Sequence, residues 1–227
     1  MKAVHARLRG FTASFRHPLV ITGTQLCTPL PSFSTILGML GACAGRTITP
    51  SDTRIGFDFR CSGSGSELER TNRLEYSGHK LQPHHKGQGL TNRQVLLYPQ
   101  LDLYLTNMSL LEPVKYPVSS PRFGRSQDLA WVEFATETDL ELRTRGKVGP
   151  TLLPESFSAS GLILRLPEWM DNGVFGVPRF SGPFTRFKAL LPYDSTCLEV
   201  EGRDLYHPSD AESSDYVVHL HEWAVER

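Results

Sequence analysis

Cysteine is scarce: four residues in 227, at positions 27, 43, 61 and 197, with no CxxC pair and no regular spacing. That excludes a disulfide framework and a cysteine-built structural zinc site, and leaves reduced thiols as the expectation. No run approaches the roughly 18 consecutive apolar residues of a membrane helix. The opening MKAVHARLRG has no apolar core followed by a small-residue cleavage site, so a soluble, cytoplasmic protein that meets no membrane is expected. Also missing are a GxSxG elbow, HExxH, a GxxxxGK[ST] phosphate loop and a strand-linked GxGxxG. Hydrolase, kinase and dehydrogenase readings lose their usual support, and no cofactor is expected.

Acidic residues are absent from the start of the chain, the first being Asp52. Lysine plus arginine and aspartate plus glutamate both total 24, yet residues 1 to 127 hold 15 of the former and 7 of the latter, leaving 9 and 17 for residues 128 to 227. A basic front half suits an anionic partner, and an acidic back half suits a different surface, such as protein. The length fits one globular domain, at most with an appendage.

Val4, Ala6 and Leu8 alternate with His5, Arg7 and Arg9, which predicts a half-buried strand with a polar face. Between Pro31 and Gly45 the apolar residues Phe33, Ile36, Leu37, Leu40 and Cys43 recur at three and four, with Ser32, Ser34 and Thr35 available as caps. This is the one convincing helix. Gly38, Gly41 and Gly45 share a side of it, and three helical glycines ask for a packing or contact reason. Later residues read as strands: Ile55 to Phe59, Leu74 to Tyr76, Val95 to Leu105 broken near Pro99, Leu129 to Ala135, Leu140 to Arg145, Leu162 to Leu166, Phe184 to Leu191 and Tyr216 to Trp223. SGSGS at 62 to 66 reads as a flexible connection, GKVGP at 146 to 150 as a turn, and Pro113, Pro117 and Pro121 as marks of a structured loop. The class is α+β with an antiparallel sheet. Residues 77 to 93 contain little that is apolar but carry His79, Lys80, His84, His85, Lys86 and Arg93. They read as a projecting loop or hairpin tip.

His84 and His85 with His79 suggest a ligand cluster, but adjacent histidines diverge in an extended chain and no carboxylate lies between Glu75 and Asp102. No metal site is expected. What remains is dispersed arginine, Arg7, Arg9, Arg16, Arg122 and Arg125, suited to phosphate because guanidinium groups clamp phosphate oxygens in pairs. Phe11, Phe15, Phe33 and Phe123 are candidates for stacking on RNA bases, set against the ordinary role of phenylalanine in a core.

The runs GFTASFRHP at 10 to 18 and TQLCTPLPSFSTILGMLGACAG at 24 to 45 resemble the opening of the CRISPR-associated Cas-five subunits. PRFGRSQDLAWV at 121 to 132 is similar to the family's G-R-S-x-D-L segment, and YVVHLHEW at 216 to 223 to its closing strand. The resemblance implies a modified ferredoxin-like, RNA-recognition-type domain over residues 1–135, with a thumb-like protruding hairpin at about 77–93, and a smaller β-rich part over 136–227 that completes the fold. It also implies a noncatalytic subunit of a type I Cascade surveillance complex, I-B-like, that caps the 5′ handle of the guide RNA. The backbone and large subunits would be its protein partners, and target DNA an indirect one. Under that reading Arg7, Arg9, Arg16, Arg122 and Arg125 neutralise phosphates, with Lys80, His84, His85, Lys86 and Arg93 on the thumb. Ser32 donates at the helix start, and Asn92, Ser126 and Gln127 supply base-edge contacts.

One branch of that family cleaves its own RNA with tyrosine, lysine and histidine. Tyr76, Lys80, His84, His85 and Lys86 supply those residue types here, which makes a metal-independent endoribonuclease the alternative. A purely structural bridge between subunits is the third reading.

Overall fold

The alternation at the start of the chain becomes β1 (Lys2–Gly10), with Val4, Ala6 and Leu8 in the core. The computed structural model describes residues 1–17, 24–171, 180–193 and 197–224. After β1 come β2 (Thr12–Ala13), α1 (Phe33–Ala44), β3 (Ile55–Arg60), β4 (Gly63–Ser77), β5 (Lys80–Leu97) and β6 (Gln100–Leu105). A short 3-10 turn (Met108–Leu110) leads into α2 (Leu111–Lys115), followed by β7 (Ala130–Val148), β8 (Leu152–Pro154), β9 (Leu162–Pro167), β10 (Met170–Asp171) and β11 (Phe180–Ser181). The chain ends with β12 (Phe184–Ala189), β13 (Leu198–Pro208) and β14 (Val218–His219).

Six strands form one antiparallel sheet in the order β14-β13-β7-β1-β6-β3. Just past β14, the His221 amide donates to the Ile55 carbonyl on β3 at 2.8 Å, so the two edges nearly meet. A closed sheet leaves little edge to attract a stray strand. Helix α1 packs its apolar stripe, Phe33, Ile36, Leu37 and Leu40, into a core shared with Val4, Leu8, Phe57, Phe59, Leu101 and Leu103. Strands β8, β12 and β9 form a smaller sheet whose Phe187, Leu164 and Leu166 join the same core. Among the described residues no helix is long and apolar enough to cross a membrane, and all four cysteines are free.

Several expectations change. The polar face of β1 is partly covered: Arg7 and Arg9 keep some exposure, but His5 is buried, stacked on Tyr104 at 4.4 Å and bonded to Asp102 and Asp210. A second small cluster, Ala3, Tyr104, Leu140, Val218 and Leu220, covers that side of the sheet. Pro113 sits inside α2 rather than in a loop, and a proline is tolerated there because early helical amides have no partner to lose. Residues 62 to 66 are not a flexible connection, since β4 takes in all but the first and pairs with β5 from Gly63 onward. The two extended pieces 129–135 and 140–145 are one strand, β7, which runs on through the expected turn to Val148, and the 135/136 division falls inside it. Of the closing run 216–223 only Val218 and His219 are strand. Strand β13 had no expectation attached, because its glutamates and glycine hide the period-two pattern.

The expected loop at 77 to 93 is the far end of a long hairpin. Gly78 and His79 both have positive φ, the pair that a two-residue hairpin turn demands. The root of the hairpin is held by β2 and by the segment at Gln25, whose amide and carbonyl bond to Asn92 and Gln94 of β5. Beyond the root, from Leu68 opposite Asn92 to the turn after Ser77, the hairpin projects about 30 Å at the usual rise per residue.

Candidate nucleic-acid interface

A cleft of about 690 Å³ opens where the start of α1, the root of the hairpin and the 121–128 turn meet, with Arg16, Ser32, Arg93, Arg122 and Arg125 in its lining. Each is placed by local geometry. Ser32 caps α1, its hydroxyl accepting from the Thr35 amide at 3.2 Å, and contacts the hydroxyls of Ser34 and Thr35 at 2.8 and 2.9 Å. The first turn of α1 contains no acidic residue, so the positive end of the helix dipole faces the cleft uncompensated. Gly38 lies one turn further along the same wall, and a Cβ there would meet nothing within 4 Å. Its missing side chain leaves the helix backbone open to the cleft rather than to a neighbouring element.

The opposite wall depends on Gly124. Its φ is +113°, and a Cβ would fall 2.2 Å from the Ser14 carbonyl oxygen. Only glycine lets the turn press against the strand after β1, where the Ser14 amide donates to the Phe123 carbonyl at 2.9 Å. That contact brings Arg122 to the cleft that Arg16 also lines.

The arginines then divide. Arg16 and Arg122 are exposed and make no ion pair among the described residues. Arg125 is held by carboxylates through all three of its guanidinium nitrogens: Nε and Nη2 bond to Asp128 at 2.9 Å each, and Nη1 bonds to Glu67. These hydrogen bonds with Asp128 and then Glu67 outweigh burial and hold its pKa above the ordinary arginine value. Arg93 is paired with Glu69 at 2.6 Å. Arg7 and Arg9 lie on β1 outside the cleft, bonded to Asp102 at 2.7 Å and Glu133 at 3.0 Å. Of the five dispersed arginines, Arg16, Arg122 and Arg125 line one cleft, and Arg7 and Arg9 do not. Acidic residues far away in sequence answer those two across the sheet.

Ser126 and Gln127 are exposed at the tip of the 121–128 turn, outside the cleft lining, and Asn92 is exposed on β5. Phe15, Phe33 and Phe123 are buried core residues and cannot stack on bases. Phe11 alone of the four is exposed, next to Trp131 with ring centroids 5.3 Å apart. Cys27, near the same wall, has its thiol pushed up to about 12 by burial, so it carries no reactive thiolate.

The hairpin is amphipathic, which its composition conceals. Directly opposed residues of an antiparallel pair share a face, and side chains alternate along each strand. Pairing Leu68 with Asn92, Arg70 with Leu90, Leu74 with Pro83 and Tyr76 with Leu81 gathers Leu68, Leu74, Tyr76, Leu81, Pro83 and Leu90 on one side. The leucines and the tyrosine are 55% to 71% exposed, so none of the described residues covers them. The other side carries Glu67, Glu69, Glu75, Gln82 and Arg93. Tyr76 thus faces away from Glu75, the residue beside His84 at 3.9 Å. The tyrosine, lysine and histidine set of the cleavage reading is not gathered on one face. Leu81 and Leu90, nine residues apart, would face opposite sides of a regular strand, and only the register shift places them together.

No family model matches the sequence, and neither does any curated protein. Solved structures do match in fold. One chain of a structure described as a CRISPR RNA-guided surveillance complex superposes with a TM-score of 0.56 at 15% identity, covering 94% of this chain and 95% of that one. A chain from the type III-B Cmr-beta complex bound to cognate target RNA and AMPPnP gives 0.51 at 13% identity, over 88% of this chain and 86% of the other. At such identities the likeness is one of fold.

Proposed function

We propose that this chain is a noncatalytic, RNA-binding subunit of a CRISPR RNA-guided effector complex, and that its cleft holds the 5′ handle of the guide RNA. The observation that carries this reading is the cleft itself, lined by two arginines, Arg16 and Arg122, that make no ion pair among the described residues, and by the uncompensated start of α1. Guanidinium groups and helix-start amides are both phosphate-seeking, and a wall opened by Gly38 admits a sugar-phosphate backbone at close range. Support comes also from the fold shared with a chain of an RNA-guided surveillance complex. The succession β1-α1-β3-β6-α2-β7 with sheet order β7-β1-β6-β3 supports a modified ferredoxin-like, RNA-recognition-type domain.

In this mechanism Arg16 and Arg122 clamp successive phosphates, while Ser34 and Thr35 hydroxyls offer neutral donors to phosphate or base edge. Arg125 and Asp128 do not touch RNA but hold the turn that presents Arg122. The apolar side of the hairpin packs on the adjoining backbone subunit of the complex, which would cover side chains left bare in this chain. The test is binding of repeat-derived RNA over a salt series, with the RNA recovered and checked for cleavage. Arg16→Ala and Arg122→Ala are each expected to weaken binding and to lower the salt slope by about 1. Unchanged affinity in both variants defeats the proposal, and chelator-insensitive cleavage products would favour the endoribonuclease instead.

A further inference from the structure

We propose that the hairpin carries a zinc site formed by Glu75, His84 and His85. The ligating atoms of these three residues lie within 4.8 Å of one another, Glu75 on β4 and the histidines on β5. Neighbouring histidines on a regular strand point to opposite sides, and the sequence alone argues against such a cluster. The register removes that objection. Leu74 faces Pro83, while Asn72 faces Gln88, so four residues of β5, from His84 to Gly87, stand opposite the single residue Arg73. This bulge, turned by Gly87 at φ +59°, brings the two imidazoles together with centroids 4.1 Å apart and planes tilted by 36°, and sets His84 Nε2 3.9 Å from Glu75 Oε2.

Two imidazoles and a carboxylate are the donor set of a three-ligand zinc site that keeps a fourth position open. Donors on one zinc at about 2.0–2.1 Å stand about 3.3 Å apart in a tetrahedron, so the cluster closes by up to about 1.5 Å on loading. An exposed bulge closes more readily than a packed strand. His84 Nδ1 accepts from the Lys86 amide at 3.1 Å. A neutral imidazole has one lone pair to give, so zinc takes it at the expense of this bond and the exposed amide turns to water. The products are a cross-link between the two strands near the tip and a metal position open to an oxygen donor such as water. None of this depends on the RNA-binding reading.

The test uses the full chain without a histidine tag. Zinc is titrated calorimetrically, and cobalt is added in parallel as a spectroscopic probe. One equivalent is expected to bind, weakened at least about tenfold in Glu75→Ala, His84→Ala and His85→Ala, a lower bound set by what even outer-shell partners contribute. His79→Asn, at the turn, is the control and should bind as the parent does. Loading should also slow proteolysis at Lys80 and Lys86, which a merely adventitious surface ion would not do. The proposal is overturned if no saturable equivalent appears, if binding persists in the His84 and His85 variants, or if the metal leaves proteolysis of the hairpin unchanged.

Discussion

Arg125 bonds edge-on to Asp128, Nε to Oδ2 and Nη2 to Oδ1, each at 2.9 Å, while the Asp128 side chain is fully buried. Asp128 also accepts from the Thr12 hydroxyl at 2.7 Å and from the Arg125 amide at 3.2 Å. The pair is a clasp for the 121–128 turn, and it separates an arginine that builds the cleft from two that are free to work in it.

That separation is measurable. Removing one partner of a buried pair leaves the other charge unpaired, so Arg125→Ala should cost about 3 kcal/mol of stability and lower the melting temperature. Arg16→Ala touches no ion pair and should leave stability within about 0.5 kcal/mol while lowering RNA affinity. Thermal unfolding beside a binding assay checks both. Equal melting temperatures for the two variants would show that the clasp does not hold the turn.

The two wall glycines should respond in opposite ways. Gly38→Ala meets no neighbour and should stabilise α1 by about 0.5–1 kcal/mol, since alanine gives up less entropy than glycine in a helix. Gly38→Trp should fold but fill the cleft and abolish RNA binding. Gly124→Ala, with its Cβ against the Ser14 carbonyl at φ +113°, should be destabilised by several kcal/mol or fail to fold. Denaturant midpoints and RNA titrations read these effects.

Burial beside Arg60 leaves Asp58 with a pKa raised from 3.8 to about 6. In the folded state this acid binds its proton more tightly than in the unfolded chain. Stability is therefore fullest below pH 4 as far as Asp58 is concerned, and is lost as pH rises from about 4 to about 6, by about 3 kcal/mol in total. Asp58→Asn, which keeps an oxygen for the Tyr216 hydroxyl at 3.4 Å, should flatten that part of the stability profile. Urea unfolding at pH 4, 5, 6 and 7 measures it, and parallel profiles for parent and variant would contradict it.

The bare side of the hairpin predicts assembly without stability. Leu74→Ser with Leu81→Ser should change unfolding by no more than about 0.5 kcal/mol, because neither residue is buried in this chain. If the hairpin packs on a backbone subunit as proposed, the same double variant should fail to co-elute with such a subunit. Co-elution equal to the parent would move the protein contact elsewhere.

Reading the chain alone located α1, a set of three candidate caps that includes Ser32, and many of the strands, because each of these rests on interactions between residues a few positions apart. Gly45 closes the helix at φ +65°, as its place after the apolar stripe suggests. The cleft was legible in part. Arg16, Ser32, Arg93, Arg122 and Arg125 could be named, but not the carboxylates that occupy two of them, Glu69 for Arg93 and Asp128 with Glu67 for Arg125. Pairing of Arg7 with Asp102 spans 95 residues and that of Arg125 with Glu67 spans 58, distances at which no periodicity carries a signal.

Local pattern, then, marked α1 and many of the strands, and named the side chains with the chemistry to meet a phosphate. Tertiary structure alone decided which of those cations remain free, since an ion pair depends on where the folded sheet brings a distant carboxylate. It also decided that His84 and His85 stand together and that the leucines of the hairpin share one side, since both follow from cross-strand register, a quantity fixed by pairing between chain segments and by no single segment on its own.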